Sequence, residues 1–161
     1  VALSNDPGEK GLMDRPPRDP REGLLSRFWL FIAFSALVAF VADFIPYYLV
    51  LGWTMDPAVA RSVCVTSVVL FELALVFQVR SETKHFFSQG WEALTSNKFL
   101  ILAVVGSLIL QMGALYFPPL SGVLKMVPLS LDQLLLTFAA AGSAFIIVPR
   151  LFIKPTKARA I

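Results

Sequence analysis

The sequence predicts an all-α membrane protein, a bundle of four transmembrane helices with both termini in the cytoplasm. Of its 161 residues, 57% are hydrophobic and 16% are charged, and the mean hydropathy is +0.71. Soluble domains have about a quarter of their residues charged. Here the charged residues are clustered and leave long apolar runs between them. A helix of about 20 apolar residues crosses the hydrocarbon layer of roughly 30 Å, and in lipid a helix pairs its own backbone groups within one segment.

The apolar runs define the predicted domain organisation. Residues 1–26 are polar and are expected to form a cytosolic leader, and residues 27–161 are expected to form the transmembrane domain. The predicted spans cover about 28–53, 58–79, 99–117 and 131–153. Each is near the length that a tilted membrane helix requires. Because the chain begins with Val1 inside a polar stretch, we expect it to be a fragment of a longer protein.

The first two connections contain residues that suit helix ends. Asp56 is expected to cap the second helix, with Pro57 at its first position, where the missing N–H costs nothing. The longer connection is polar, and Asn97 near its end is expected to cap the third helix. These signals agree with the spans drawn from the apolar runs.

Proline and serine mark the boundaries of the last two helices. Pro118 and Pro119 are expected to end the third helix, because proline lacks the backbone donor and clashes with the preceding turn. Ser130 is expected to cap the fourth helix. Pro149 is expected to kink that helix near its end.

The distribution of Lys and Arg predicts the orientation of the bundle. Twelve of the 14 lie in the leader, the middle connection and the tail: Lys10, Arg15, Arg18, Arg21, Arg27, Arg80, Lys84, Lys98, Arg150, Lys154, Lys157 and Arg159. On the other side stand Arg61 and Lys125. Since cytoplasmic loops carry an excess of Lys and Arg, both termini are expected in the cytoplasm. These basic residues mark membrane boundaries and not one folded face, so no nucleic-acid partner is expected.

Glu72 is the candidate functional residue within the apolar runs. It lies roughly 12 Å from the cytosolic boundary near Arg80, where an unpaired charge costs at least about 3 kcal/mol. A carboxylate offers hard oxygens to a dehydrating ion, so Glu72 is a candidate ligand of a transported cation. The alternative is a neutral glutamate that hydrogen-bonds to a neighbouring helix, for instance to Gln111. Position alone leaves both interpretations open.

The other polar residues are weaker candidates for a functional site than Glu72. Asp43 is placed towards the outer end of the first helix, where a partly hydrated interfacial carboxylate is favoured over an ion ligand. Gln78 and Gln111 are expected to hydrogen-bond between helices. A lone Cys64 and a lone His85 predict neither a disulfide nor a metal site. We find no catalytic motif and no cofactor-binding motif.

Three stretches of the sequence resemble one family of membrane proteins. They are the leader with Met13-Asp14-Arg15-Pro16-Pro17-Arg18 at its centre, the stretch Phe71–Glu82, and the pair Tyr116–Leu120 and Pro128–Asp132. In this order they resemble the seventh to tenth helices of P-type cation-transporting ATPases similar to the sarcoplasmic reticulum calcium pump and its bacterial relatives. The leader is the most specific of the three.

The resemblance implies that the chain is the C-terminal membrane support region of an ATP-driven cation pump. It implies that Glu72 lies on the pump's eighth helix and is a ligand of the transported cation, calcium or another. The family often has asparagines one turn after this acid, whereas this chain has Leu75 and Val76. That difference leaves the identity of the cation and the presence of a second ion site open.

The resemblance also implies partners beyond this chain. Arg15, Pro16, Pro17 and Arg18 form the family motif in a loop expected to couple phosphorylation to ion access. The partners implied are membrane lipid, the remaining transmembrane helices and cytosolic domains, and the cation. ATP and Mg²⁺ are implied for the intact pump, since this chain has no phosphorylation or nucleotide site. The expected location is a multi-pass position in the plasma or inner membrane.

Two other interpretations remain at the level of sequence. One is a stand-alone four-span scaffold or small transporter subunit. The other is a membrane-anchoring interaction module without transport. The polar start and the motif in the leader favour the pump over both.

Overall fold

The structure, a computed structural model, describes residues 28–79 and 97–147. Helix α1 covers Trp29–Thr54, α2 covers Pro57–Val79, α3 covers Lys98–Tyr116, and the short helix α4 covers Pro118–Leu124. The last helix, α5, covers Leu131–Gly142 and continues as a 3₁₀ helix over Ser143–Ile146. The order of elements in these two ranges confirms the predicted all-α class.

Three of the predicted spans are present as helices long and apolar enough to cross a membrane, namely α1, α2 and α3. The fourth apolar run forms a shorter apolar helix over Leu131–Ile146 in the part of the chain that the structure describes. The predicted kink at Pro149 lies outside the described residues. The count of four spans and the cytoplasmic termini therefore remain predictions.

A tight turn built from the expected residues joins α1 to α2. Met55 adopts φ 53°, and its N–H donates to the Leu51 carbonyl at 2.9 Å, which closes α1. Asp56 Oδ1 accepts a hydrogen bond from the N–H of Ala58 at 2.8 Å. This bond confirms Asp56 as the cap of α2, which begins at Pro57. A short connection of this kind makes the two helices antiparallel neighbours.

The predicted caps of α3 and α5 are also confirmed. Asn97 Oδ1 accepts a hydrogen bond from the N–H of Leu100 at 3.0 Å. Ser130 and Gln133 form a capping box, in which each side chain accepts a hydrogen bond from the backbone N–H of the other. These bonds satisfy donors that the first turn of a helix leaves without an intrahelical partner.

The prolines after α3 end one helix and begin another. α3 ends at Tyr116, as predicted, but Pro118 and Pro119 then occupy the first positions of α4, which the sequence analysis missed. At these positions a proline loses no intrahelical hydrogen bond. Lys125, with φ 53°, closes α4. The Tyr116 hydroxyl donates to the carbonyl of Leu129 at 2.8 Å and so holds the following connection against α3.

α2 is the central helix of the described bundle. It contacts α1, α3, α5 and the 3₁₀ helix. One cluster of buried apolar residues contains Phe31, Ala42, Leu70, Phe71, Ala141, Ala144 and Ile147. A second cluster contains Val50, Val63, Leu115 and Leu129. Both clusters include residues of α2, so the position of this helix is fixed by apolar packing along its length.

The turn between α1 and α2 and the connection between α4 and α5 lie at one end of the bundle, which we call the hairpin end. Arg61 Nη2 donates to the carbonyl of Lys125 at 2.7 Å. The N–H of Val127 donates to Ser62 Oγ at 2.9 Å. These two bonds attach the connection to the first turns of α2.

Candidate functional site

The side chain of Glu72 lies on an exposed face of α2. Exposed or half-buried residues recur along this face at helical spacing: Arg61, Val65, Val68, Glu72, Val76 and Val79. We call it the Glu72 face. The opposite side of the helix is packed against the other elements, and Phe71 and Gln78, for example, are exposed by only 2% and 0%. Glu72 therefore points away from the described bundle.

Glu72 lies far from both ends of its helix. It is roughly 22 Å from Pro57 and 10 Å from Val79, at about 1.5 Å per residue. The surrounding helix has the length and composition of a membrane span. A carboxylate facing lipid at this depth costs about 3 kcal/mol or more. The carboxylate of Glu72 is therefore suited to contact with protein or with a cation, and poorly suited to contact with lipid.

The interpretation of Glu72 as a hydrogen-bond partner of Gln111 is wrong. Gln111 Nε2 donates instead to Thr66 Oγ1 at 2.9 Å, between α3 and α2. The Thr66 hydroxyl in turn donates to the carbonyl of Ser62 at 2.7 Å. Both side chains are buried. The prediction that Gln111 links two helices is thus confirmed, but the link lies on a different face from Glu72.

Asp43 is the second acid within the spans, and its contact with water near the outer interface stays a prediction. α1 extends to Thr54, so Asp43 lies roughly 16 Å from that end, near the middle of the helix. Its Oδ1 atom is buried and has no hydrogen-bond partner within residues 28–79 and 97–147. Nearby, Pro46 lacks the N–H that would pair with the carbonyl of Ala42 in a regular helix.

Two acids, Asp43 in α1 and Glu72 in α2, lie within the described spans. Carboxylate and carbonyl oxygens are the ligands that Ca²⁺ and other hard cations take, and Ca²⁺ needs about six to eight of them. The described ranges contain no cluster of three or more His, Cys, Asp or Glu that could hold a metal ion.

Two buried hydroxyls distinguish the interior of the bundle from an ordinary apolar core. Ser35 and Ser67 are exposed by 7% and 1%, and neither Oγ has a hydrogen-bond partner among the residues described. A helical Ser or Thr usually bonds back to its own backbone, as Thr66 does. Composition gave no indication of this difference, because it depends on how neighbouring helices pack.

Of the remaining residues that the sequence analysis considered, the structure describes Gln78 and Cys64. Gln78 links two elements, because its Nε2 donates to the carbonyl of Ile147 at 2.6 Å, which confirms the prediction for this residue. Cys64 is free and half-buried. The motif Arg15, Pro16, Pro17 and Arg18 lies outside the described residues, as does His85.

Comparison with known proteins places these features in one family. The model of the family described as cation transporting ATPase, C-terminus, matches residues 1–151. The calcium-transporting ATPase of Bacillus subtilis is 30% identical over 89% of this chain, and the probable cation-transporting ATPase F of Mycobacterium bovis is 29% identical over 92%. The calcium-transporting ATPase type 2C member 1 of Mus musculus is 28% identical over 91%.

The matches cover nearly the whole chain but a small part of each relative. This chain spans 17% of the Bacillus protein and 16% of each of the other two. Its long apolar helices agree with the membrane part of such a pump. The chain is an integral membrane protein that belongs to the family of C-terminal membrane regions of P-type cation-transporting ATPases.

Proposed function

We propose that this chain holds the ion-translocating helices of the pump in place and supplies Glu72 as one carboxylate ligand of the transported cation. The proposal rests on the exposure of the Glu72 face. A carboxylate so deep in a span requires a partner, and the other faces of α2 are already packed. Helices of the pump that are not in this chain cover that face and complete the cation site.

The contribution of α2 to the cation site is a single carboxylate. Leu75 and Val76, about one turn beyond Glu72, are apolar and offer no further oxygen from their side chains. The relatives are named as calcium-transporting or cation-transporting proteins. The transported ion is accordingly calcium or another cation that accepts one carboxylate from this helix.

The arrangement in the membrane follows from charge. We place a fourth span over about 131–153, with both termini and the connection over 80–96 in the cytoplasm of a plasma or inner membrane. The hairpin end then lies on the opposite side. ATP hydrolysis and Mg²⁺ binding belong to the cytosolic domains of the pump. Membership of the family favours this arrangement over a stand-alone scaffold or anchoring module.

The test of the ligand role is Glu72→Gln in the complete pump. We expect the cation concentration that half-saturates phosphorylation from ATP to rise about tenfold or more, which corresponds to roughly 1.4 kcal/mol of binding free energy. Glu72→Asp, which keeps the charge on a shorter side chain, should have a smaller effect. The maximal level of phosphorylation should stay near that of the unaltered pump, because the ATP chemistry lies elsewhere.

Asp132→Asn is the matched control for that experiment. Asp132 is an exposed acid in the first turn of α5, at the hairpin end. Its neutralisation removes the same charge without changing the Glu72 face, so the cation dependence should not move. A Glu72→Gln pump with an unaltered cation dependence would leave Glu72 as a structural acid.

The leader is proposed to couple phosphorylation to ion access through Arg15 and Arg18. Replacing both with Gln in the complete pump should lower the number of cations transported per ATP hydrolysed, because the charged contacts of the loop are lost. The measurement is the ratio of the two rates in reconstituted vesicles. Lys10→Gln, a basic residue of the same segment outside the motif, is the control. An unchanged ratio in the arginine variant contradicts the coupling role.

A further inference from the structure

Two apolar contacts enclose a stretch of the packing between α1 and α2. At one end Ala42 of α1 packs in a buried cluster with Phe71 of α2. At the other end Val50 of α1 packs in a second cluster with Val63 of α2. Because the two helices are antiparallel neighbours, the residues of α1 and α2 between these two ends lie opposite one another.

Ser67 is the polar residue that α2 contributes to this stretch. It lies one turn after Val63 and one turn before Phe71, on the side of α2 that these two residues bury. Ser67 is exposed by 1%, and its Oγ atom has no hydrogen-bond partner among the residues described. A buried hydroxyl is costly without such a partner, so this one indicates a bound group that the described helices do not supply.

α1 contributes two further oxygens to the same stretch. Asp43 lies two turns before Val50 and therefore shares the side of α1 that packs against α2. Its Oδ1 atom is buried and has no hydrogen-bond partner in the two described ranges. The carbonyl of Ala42 is directed along the helix towards Pro46, which is fully buried and has no N–H to donate to it. A carboxylate, a backbone carbonyl and a hydroxyl thus lie in one part of the α1–α2 contact.

The charge of Asp43 has no basic counterpart at its depth in the described helices. α1 and α5 contain no Lys or Arg. The basic residues of α2 and α3 are Arg61 and Lys98, and both lie near the start of their helix. Acids within a membrane span are rare unless they are paired or bind a ligand. A positive charge from outside these helices would satisfy Asp43.

We propose that Asp43, the carbonyl of Ala42 and Ser67 bind an alkali cation, Na⁺ or K⁺, at a site separate from Glu72. Carboxylate, carbonyl and hydroxyl groups are hard oxygen ligands, and in transporters the carbonyls freed by a break in a membrane helix coordinate Na⁺. One carboxylate neutralises one positive charge, whereas Ca²⁺ carries two charges and takes about six to eight oxygens. Asp43 as a whole is only half-buried, so the ion reaches the site beside it, and water or helices outside this chain complete its coordination.

The test measures the thermal unfolding of the complete pump in detergent with calcium chelated. NaCl and KCl are each compared with choline chloride at the same ionic strength. A ligand that binds only the folded protein raises the midpoint of unfolding, so at least one of the two alkali ions should raise it by a few degrees. Asp43→Asn and Ser67→Ala should each remove most of that rise. A midpoint that is the same in all three salts overturns the site.

Ser35→Ala is the matched control for the serine. Ser35 is also buried, and its Oγ atom likewise has no partner in the described part of the chain. It lies two turns before Asp43, outside the stretch between the two apolar contacts. The rise that the alkali ion causes should persist in this variant, whatever its midpoint in choline. A rise that persists in Asp43→Asn and Ser67→Ala, or that disappears in Ser35→Ala, contradicts the assignment of ligands.

Glu72→Gln separates this site from the site of the transported cation. The alkali-dependent rise should remain in that variant, because Glu72 lies on the exposed face of α2 and Ser67 on the packed side. A rise that disappears in Glu72→Gln means that the alkali ion binds with Glu72, and the separate site is then rejected. If the rise remains but the cation dependence of phosphorylation does not move in Glu72→Gln, the ligand role of Glu72 fails and the alkali site stands.

Discussion

At the scale of single residues, the need of a polar side chain for a hydrogen bond was easier to predict than the residue that provides it. The sequence indicated that Gln78 and Gln111 link helices, because an amide in a span needs a hydrogen bond. It did not identify Thr66 as the partner of Gln111. Asp43 lies in the half of α1 nearer Thr54, in agreement with its predicted place towards the outer end of the helix, but the sequence did not indicate that its Oδ1 atom is buried.

The bond between Gln111 and Thr66 gives a prediction at the same scale. In a cycle of Gln111→Leu and Thr66→Val, we expect a coupling of about 0.6 kcal/mol and at most about 1.7 kcal/mol, the average and the maximum for hydrogen bonds between membrane helices. The measurement is reversible unfolding of the protein in mixed micelles. Each single variant should leave the maximal phosphorylation of the pump unaltered, since neither residue lies on the Glu72 face. A coupling of zero would mean that the bond contributes nothing to stability.

At the scale of elements, hydropathy and capping residues predicted the positions of the three long helices. The short helix α4 and the 3₁₀ helix were not predicted. The start of α2 followed from Asp56 and Pro57, and the start of α3 from Asn97. α4 was missed because a pair of prolines was interpreted as a stop, although proline is equally suited to a first turn. Gln78 of α2 donates to the carbonyls of Phe145 and Ile147 at the end of the 3₁₀ helix, and a local sequence pattern contains no information about such a contact.

At the scale of the whole molecule, the family and the membrane class were evident from the sequence, and the open face of the bundle was not. Which side of α2 is packed depends on the joint placement of α1, α3 and α5. Glu72 could be named from its position, but its exposure became visible only in the assembled helices. The exposure of the Glu72 face depends on how the helices pack together, and the sequence of α2 alone does not reveal it.

The proposed orientation gives a prediction at this scale. Val123 on α4 is exposed by 81% at the hairpin end, and Ser88 lies in the connection expected in the cytoplasm. In a complete pump without other cysteines, Val123→Cys should react with a membrane-impermeant maleimide on intact cells. Ser88→Cys should react only after the membrane is made permeable. The reverse pattern contradicts the orientation drawn from Lys and Arg.

The valines beside Glu72 have a consequence for movement. Val65, Val68, Val76 and Val79 are β-branched, and a valine in a helix keeps essentially one side-chain rotamer. A neighbouring helix that slides along them meets a surface whose shape stays constant, and little rotamer entropy is lost or regained at each step. These valines thus form a surface of constant shape on α2, and the carboxyl group of Glu72 interrupts it at its middle.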